Sequence, residues 1–214
     1  MNIRIDALVP SFLEGKIPTG NLWAKQIALD DTGYFLINAN SGKGKSTLLS
    51  YLFGVRKDYQ GTIHFNNKNL REFNIDDWAD WRSKKISMVF QELKLFPQLT
   101  ALQNVLMKNE LTKHFSLEQT RELFSRLGIL EFLDIPCNRL SLGQQQRVAI
   151  IRALHQSFEC ILLDEPFSHL DVENASIAFN LIMEQCKAQN AMMILSSLGS
   201  NHGFNFTETF NLAS

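Results

Sequence analysis

The sequence has little of several features that would place it in a specialised class. Its three cysteines have no Cys-x-x-Cys spacing, so we expect reduced thiols buried in a core. No apolar run approaches the roughly 18 residues of a membrane-spanning helix, and no signal-peptide pattern opens the chain. The net charge of −1 gives no electrostatic reason to expect nucleic acid. Four histidines have no metal spacing and are expected to be surface or hydrogen-bonded positions: His64, His114, His155 and His169. These features favour a cytoplasmic protein that reaches a membrane only through another chain.

What the sequence does contain is the segment Ala39-Asn-Ser-Gly-Lys-Gly-Lys-Ser-Thr47. It follows the apolar run 34–37, which predicts a buried strand, and precedes apolar residues at helical spacing that end at Gly54. A glycine-rich turn at a helix N-terminus presents N–H groups and the helix dipole to an anion. The segment therefore predicts a nucleotide phosphate site. Lys45 would reach the β- and γ-phosphates, and the Ser46 hydroxyl would complete a Mg²⁺ shell.

One position departs from the pattern G-x-x-x-x-G-K-[ST], because Ala39 stands where the first glycine belongs. If that position needs a positive φ angle, alanine adds about 1 kcal/mol of strain. If it needs only a small side chain, alanine costs little. The sequence leaves both explanations open.

Apolar periodicity along the chain predicts strands that alternate with helices. The predicted strands are 3–9, 27–29, 34–37, 61–65, 86–90, 160–163 and 192–195, and the predicted helices are 48–53, 148–154 and 177–186. Between about 92 and 143 the character is helical, with a capping box at Ser116 and Gln119 and a helix stop at Gly128. We therefore expect an α/β protein with a parallel-sheet core and a helical insertion.

Two adjacent carboxylates, Asp164 and Glu165, follow the predicted strand at 160–163. Open α/β sheets place their ligand crevice at the carboxyl ends of the strands, where these two residues fall. Asp164 can hold a water on Mg²⁺, while Glu165 can orient and deprotonate the attacking water. A strand that merely ends in solvated charges is the simpler explanation, but the phosphate loop in the same chain weakens it.

The segment Leu140-Ser-Leu-Gly-Gln144 supports two interpretations. Ser141 followed by Gln144 is a capping box, which is an ordinary way to start a helix. The serine hydroxyl and the free N–H groups at this helix start could also grip a γ-phosphate bound to another subunit. The spacing alone does not decide between the two.

Five motifs, in this order, resemble the nucleotide-binding domain of ABC transporters. The resemblance covers nearly the whole chain, although any one motif is weak by itself. The motifs are the Walker A loop 39–47, the Q-loop at Phe90-Gln91 with the segment 95–105, the signature 140–144, the Walker B strand 161–165 and the D-loop Ser168-His-Leu-Asp171. Residues 99–105 lean toward the lipoprotein-releasing, macrolide-exporting and cell-division branch of the family.

The resemblance implies a P-loop NTPase (RecA-like) fold, with a single ABC ATPase domain over residues 1–214. The parallel-sheet core and an N-terminal antiparallel β subdomain would occupy about 1–91 and 144–214, and an inserted helical subdomain about 92–143. The resemblance also implies a head-to-tail dimer, either a homodimer or a heterodimer, with two ATP molecules sandwiched at the interface. The helical subdomain would dock a short helix of an integral membrane permease. The chain would then be cytoplasmic and peripheral on the inner face of the cell membrane.

The resemblance further implies roles for individual residues. Glu165 is the expected catalytic residue, aided by Gln91, which senses the γ-phosphate, and by the residue at the switch position. The expected Mg²⁺ ligands are Ser46, Gln91 and Asp164. The expected nucleotide contacts are Asn40, Ser41, Gly42, Lys43, Gly44, Lys45, Ser46 and Thr47, with Ser141, Gly143, Gln144 and Asp171 from the signature and D-loop; of these, Ser141 and Gly143 serve the partner's nucleotide. Phe12 is the best match for the aromatic that stacks on adenine, and Trp23 is less favoured because the family has a strand there.

Further departures from the family pattern bear on activity. Leu142 replaces the first signature glycine and adds bulk at a phosphate-facing turn, while Lys43 could attract ATP or simply be solvated. Ser197 stands where the family has its switch histidine, and His202 lies five residues further on. A serine donates one hydrogen bond and carries no charge, so positioning of the γ-phosphate should suffer. Losing one such contact typically costs about 10²–10³ in rate, so we expect slow hydrolysis with the catalytic Glu165 intact.

Three functional hypotheses follow. The first is an ATPase subunit that binds and hydrolyses Mg-ATP to drive a permease, in a homodimer or beside a partner with complete motifs. The second is a nucleotide-gated binding module with negligible turnover, which Ala39, Leu142 and Ser197 favour and Glu165 and Gln91 oppose. The third is a DNA-repair or translation ATPase, which the near-neutral charge and the lack of a long coiled-coil insertion or second cassette disfavour.

Overall fold

Two β-sheets carry the helices of this α/β protein. The computed structural model describes residues 1–15, 22–30, 32–39, 42, 44–112, 114–198 and 203–212. The strands are β1 Ile3–Pro10, β2 Gln26–Leu29, β3 Tyr34–Asn38, β4 Tyr59–Phe65, β5 Lys68–Asn69, β6 Ile86–Val89, β7 Cys160–Asp164, β8 Met192–Ser197 and β9 Glu208–Asn211. The helices are α1 Lys45–Leu52, α2 Ile75–Lys84, α3 Ala101–Thr112, α4 Leu117–Arg126, α5 Leu142–Leu154 and α6 Val172–Gln189.

The parallel sheet has the strand order β6-β7-β8-β3-β9. All of its neighbouring strands run in the same direction, so their carboxyl ends meet at one edge. Strand β8 lies between β3, which leads into the phosphate loop, and β7, which ends at Asp164. Asn38 pairs with Ser197, and Asp164 pairs with Ser196. The edge therefore brings together the segments that the sequence predicts to carry the chemistry.

The antiparallel sheet has the order β2-β1-β4-β5 and is built from the first part of the chain. Its central strand β1 has a bulge between Asp6 and Val9, and Ala7 within the bulge has a φ of 49°. The paired strand carries Gly61 there, where a Cβ would lie 2.4 Å from the Ala7 carbonyl oxygen. Beyond the bulge β1 ends at Pro10, which brings the following Phe12 to the mouth of the phosphate loop.

Alternating residues of the parallel sheet feed two separate apolar cores. Leu36, Ile161 and Leu195 pack into the core shared with α3, α4, α5 and α6. Their neighbours along the strands, such as Ile37 and Leu162, pack into the core shared with α1, α2 and the antiparallel sheet. The cysteines Cys137, Cys160 and Cys186 are all buried and free, which confirms the prediction of buried thiols. Burial raises the pKa of Cys186 to about 12.

Most of the predicted strands and helices are present, and most of them extend beyond their predicted ends. Helix α4 begins with the predicted capping box, in which the Gln119 N–H donates to Ser116 Oγ over 3.2 Å and the Ser116 N–H donates to Gln119 Oε1 over 2.8 Å. Gly128 follows this helix with a φ of 63°, as a helix stop requires. Helix α2 and strand β9 were not predicted. Within the described part of the chain, no helix is both long and apolar enough to cross a membrane.

Lowering the pH should reduce the free energy of unfolding because of His155, which is fully buried at the end of α5. Its Nδ1 lies 2.9 Å from the Ile151 carbonyl oxygen and its Nε2 lies 2.9 Å from Thr120 Oγ1. Burial lowers the pKa of His155 to about 4. Below pH about 6.5 His155 is therefore protonated in the unfolded chain but stays neutral in the folded chain. Stability that is present above that pH is lost as the pH falls.

When the pH is lowered from 7.5 to 5.0, protonation linked to His155 should reduce the free energy of unfolding by about 2 kcal/mol. Urea unfolding of the parent chain and of His155→Gln at both pH values measures the effect, since glutamine keeps polar atoms but does not titrate. An equal drop in both proteins would assign the pH dependence to other groups.

Candidate nucleotide-binding site

The turn between β3 and α1 has the backbone that a phosphate loop needs. Gly42 has a φ of 75°, and Gly44, the N-cap of α1, has a φ of 96°. A Cβ on Gly44 would lie 2.9 Å from Cζ2 of Trp23, so both the space and the left-handed backbone require glycine there. The loop then passes directly into the N-terminus of α1, where backbone N–H groups are free to bind an anion. Three of the predicted contacts, Asn40, Ser41 and Lys43, lie outside the described residues.

The structure answers the question about Ala39. The described non-glycine residues with positive φ are Ala7, Ala24, Asn66, Leu93, Lys94, Glu165 and Asn190, and Ala39 is not among them. Its side chain is 5% exposed. The position therefore needs a small side chain rather than a left-handed backbone, and alanine adds little strain there.

Lys45 holds a buried positive charge at the base of the loop. Its Nζ donates to the Ala39 carbonyl oxygen over 2.8 Å and lies 3.3 Å from Glu165 Oε1. The Lys45 side chain is 4% exposed and that of Glu165 10%. Both residues line a cavity of about 170 Å³ together with Phe12, Gly42, Gly44, Ser46, Thr47 and Gln91. An ammonium group held in this way at a helix N-terminus suits an anionic ligand such as a polyphosphate.

The three predicted metal ligands share one adjoining cavity. Ser46, Gln91 and Asp164 all line a space of about 250 Å³. The Ser46 hydroxyl donates to Gln91 Oε1 over 3.3 Å, and Asp164 is 3% exposed. Hydroxyl, amide and carboxylate oxygens are the ligands that Mg²⁺ prefers, so the donor set fits this ion.

Ser196 forms hydrogen bonds to both acidic residues, contacts that the sequence did not reveal. Its hydroxyl donates to Asp164 Oδ1 over 2.7 Å and accepts from the Glu165 N–H over 3.1 Å. Glu165 has a φ of 47°, a left-handed backbone that costs a non-glycine residue about 1–2 kcal/mol. The hydrogen bond to its N–H helps to hold this unfavourable turn, which aims the carboxylate at Lys45. Only the strand order, with β8 beside β7, brings this serine to the site.

Ser197 ends strand β8 next to the start of the phosphate loop. Its carbonyl oxygen accepts from the Ala39 N–H over 3.4 Å, and its side chain is 4% exposed. The alternative candidate for the switch position, His202, lies outside the described residues.

Comparison with known proteins identifies the family. A family model described as "ABC transporter" matches residues 34–168, which include β3, the phosphate loop and the Asp164–Glu165 pair. The chain belongs to the ABC transporter family. The ATP-binding protein LolD of the lipoprotein-releasing system of Leptospira interrogans is 34% identical over 170 residues, covering 78% of this chain and 71% of that protein. The ATP-binding protein HrtA of Staphylococcus aureus is 29% identical over 198 residues, covering 91% and 89%.

Solved structures of an ABC cassette confirm the predicted fold class. The dimeric structure of MJ0796, a bacterial ABC transporter cassette, matches with a TM-score of 0.77 and 27% identity over 91% of this chain and 87% of that one. A second structure of that cassette, in a post-hydrolysis state with ADP and Pi, matches with a TM-score of 0.73 and 26% identity over the same shares. The chain is thus an ATP-binding subunit of the ABC type, and its similarity to LolD agrees with the predicted branch.

The ABC signature starts helix α5, and its local structure includes the predicted cap. The Gln144 N–H donates to Ser141 Oγ over 3.3 Å, and the Ser141 N–H donates to Gln144 Oε1 over 2.8 Å. A Cβ on Gly143 would lie 2.8 Å from the His169 carbonyl oxygen, so this glycine lets the signature pack against the D-loop. Leu142 is 56% exposed. A helix cap leaves other N–H groups of the first turn free, so this cap does not exclude phosphate binding.

The D-loop of this ABC cassette leads into helix α6. Asp171 is the N-cap of that helix, and its Oδ1 accepts from the Asn174 N–H over 2.8 Å. Hydrogen bonds from Asn174 lower the pKa of Asp171. Among the described residues, neither this aspartate nor the signature lines the cavity around Lys45.

Phe12 and Trp23 lie on the same side of the loop but differ in exposure. Phe12 lines the cavity and is 48% exposed, whereas Trp23 is 2% exposed beneath Gly44. The strand that the family resemblance placed at Trp23 is absent, because this residue lies in a turn and β2 begins only at Gln26. Burial, not strand geometry, argues against Trp23 as the adenine platform, and the choice of Phe12 stays a prediction.

Proposed function

We propose that this ABC cassette binds Mg-ATP around Lys45 and hydrolyses it at a head-to-tail interface with a second cassette, thereby driving an integral membrane permease. The observation that carries the proposal is the buried Lys45 ammonium, which lies between the loop backbone and Glu165. Around it stand a glycine-rich helix N-terminus and a second cavity lined by Ser46, Gln91 and Asp164. These groups suit a triphosphate and its cation better than any other ligand class.

Each residue has a distinct task in this proposal. Lys45 and the loop N–H groups hold the β- and γ-phosphates, and Phe12 supports the adenine. Glu165 orients the attacking water and accepts its proton, while Ser196 holds the backbone N–H of Glu165. Ser46, Gln91 and Asp164 would hold Mg²⁺, which neutralises charge on the phosphates when bound.

A second cassette completes the site in this proposal. Ser141, Gly143, Gln144 and Asp171 would meet the partner's nucleotide, which agrees with the lining of the Lys45 cavity by other described residues. The dimeric state of the MJ0796 cassette supports the arrangement. The helical subdomain at about 92–143, inserted between 1–91 and 144–214, would dock the permease. The cassette would then lie on the cytoplasmic face of the membrane.

Turnover of Mg-ATP by the purified chain, measured beside ATP-dependent dimerisation by analytical ultracentrifugation, tests this function. Turnover with dimerisation is expected. Dimerisation on ATP without turnover would instead support a nucleotide-gated module, for which the exposed Leu142 in the signature is the specific structural argument. A chain that fails to bind ATP would contradict both functions.

Replacing Ser197 with histidine should raise turnover about tenfold or more. A histidine donates to the γ-phosphate from a longer side chain, and one such contact is typically worth about 10²–10³ in rate. Steady-state phosphate release is the measurement, and Ser125→His on the exposed face of α4 is the matched control. Unchanged turnover with ordinary ATP affinity would show that the serine does not limit hydrolysis.

A further inference from the structure

The loop that continues the Q-loop beyond Gln91 contains two consecutive residues in an unfavourable backbone conformation. Leu93 has a φ of 57° and Lys94 a φ of 50°, although neither is a glycine. They follow a tight turn around Gln91, which is closed by a hydrogen bond of 2.9 Å from the Leu93 N–H to the Phe90 carbonyl oxygen. L-residues seldom adopt this conformation in pairs, so another part of the molecule has to hold it.

Arg152 holds these two residues. Its Nη2 donates to the Leu93 carbonyl oxygen over 2.7 Å, and its Nη1 donates to the Lys94 carbonyl oxygen over 2.7 Å. Among the residues that the structure describes, no carboxylate forms an ion pair with Arg152. The two carbonyl oxygens are therefore the groups that stabilise its positive charge. The planar guanidinium suits two neighbouring acceptors because its donors are fixed in a fork.

Arg152 lies at the opposite end of helix α5 from the signature. The helix runs from Leu142 to Leu154, 13 residues, which spans about 20 Å. Its first turn is the signature, capped by Ser141, and its last turn carries Arg152. One rigid element therefore joins the signature to the loop whose Gln91 contacts Ser46.

We propose that Arg152 is a positioning residue that sets Gln91 against Ser46. Through α5 it couples the signature, which faces the partner's nucleotide, to the Q-loop of its own site. The coupling rests on the proposed function, whereas the hold on the loop does not.

The first test compares Arg152→Gln and Arg152→Lys with the parent chain. We expect Arg152→Gln to lower kcat for Mg-ATP about 10- to 100-fold with KM within about threefold, because misplacing one group by about 1 Å has effects of this size. Arg152→Lys, which keeps a charged donor, should retain more of the activity. Equal kcat in all three proteins would overturn the proposal, and so would a loss that resides only in KM.

A second variant separates loop positioning from a general loss of stability. In the Arg152→Gln background, Lys94→Gly should restore turnover at least about threefold, because glycine adopts the left-handed backbone without help. The matched control is Asn190→Gly at the end of α6, where φ is 51°. Glycine there can raise stability but should leave turnover unchanged. Equal recovery with both glycines would overturn the proposal.

Amide hydrogen exchange tests the hold on the loop without turnover. The amides of residues 91–94 should exchange at least about tenfold faster in Arg152→Gln than in the parent chain, while those of β7 should not change. If the parent chain shows no hydrolysis but this difference appears, the proposed function fails and the hold on the loop stands. Unchanged exchange at 91–94 would overturn the inference even in an active enzyme.

Discussion

Replacing Glu165 with glutamine should lower Mg-ATP turnover at least about 100-fold while ATP affinity stays within about threefold of the parent chain. Glutamine has nearly the same size and still accepts hydrogen bonds, but it cannot take a proton from water. The Ser196 hydroxyl accepts a hydrogen bond from the backbone N–H of residue 165, so this contact does not depend on the Glu165 side chain. The variant should therefore keep the site's shape and lose its base.

Phosphate release and fluorescent-nucleotide binding measure the two quantities separately. Glu184→Gln is the matched control, because that side chain is 55% exposed on α6 and pairs with Arg126 rather than with the site. Turnover in Glu165→Gln above about a third of the parent rate would mean that another group deprotonates the water. A parallel loss of affinity would instead assign Glu165 to nucleotide binding through its contact with Lys45.

The phosphate loop was predictable because its chemistry is local. Glycine, lysine and serine at fixed spacing, between an apolar strand and an apolar helix, determine the turn whatever the rest of the chain does. The carboxylates at 164 and 165 were predictable for a similar reason, since they end a continuous buried run. The φ angle of Ala39 was not, because the motif does not state which property of the first glycine it uses.

The contacts that hold these motifs in place could not be found in the sequence. Ser196 reaches Asp164 across 32 residues, and Arg152 reaches Lys94 across 58. Only the strand order and the path of α5 create these contacts. A motif search identifies residues that touch a ligand, but it misses residues that orient them.

Helix α2 shows a second reason why apolar periodicity can fail to predict an element. Its apolar face is short: Trp78 is its one buried residue, Trp81 stacks on Phe65 with ring centroids 4.5 Å apart, and Ile75 is 87% exposed. The helix begins instead with a capping box between Asn74 and Asp77, in which Asn74 Oδ1 accepts from the Asp77 N–H over 2.8 Å. That signal is in the sequence, but an asparagine–aspartate pair is less distinctive than Ser116 with Gln119.

Replacing Lys45 with methionine should weaken ATP binding at least about 100-fold, a loss of about 2.7 kcal/mol. Methionine preserves the length and the apolar stem of the side chain but removes the ammonium that meets the phosphates. The Ala39 carbonyl oxygen would lose its 2.8 Å hydrogen bond, so the unfolding free energy should also fall, by about 1–2 kcal/mol. Binding of a fluorescent ATP analogue and urea unfolding measure the two effects.

Lys84→Met is the control for this variant, because that side chain is 64% exposed on α2. It should leave ATP affinity within about twofold, since a solvated charge outside the lining of the Lys45 cavity contributes little. The two site variants should then fail at different steps: Glu165→Gln binds ATP without hydrolysing it, and Lys45→Met does not hold ATP at all. If Lys45→Met bound ATP normally, the phosphates would have to lie elsewhere, and the cavity around Lys45 would lose its proposed role.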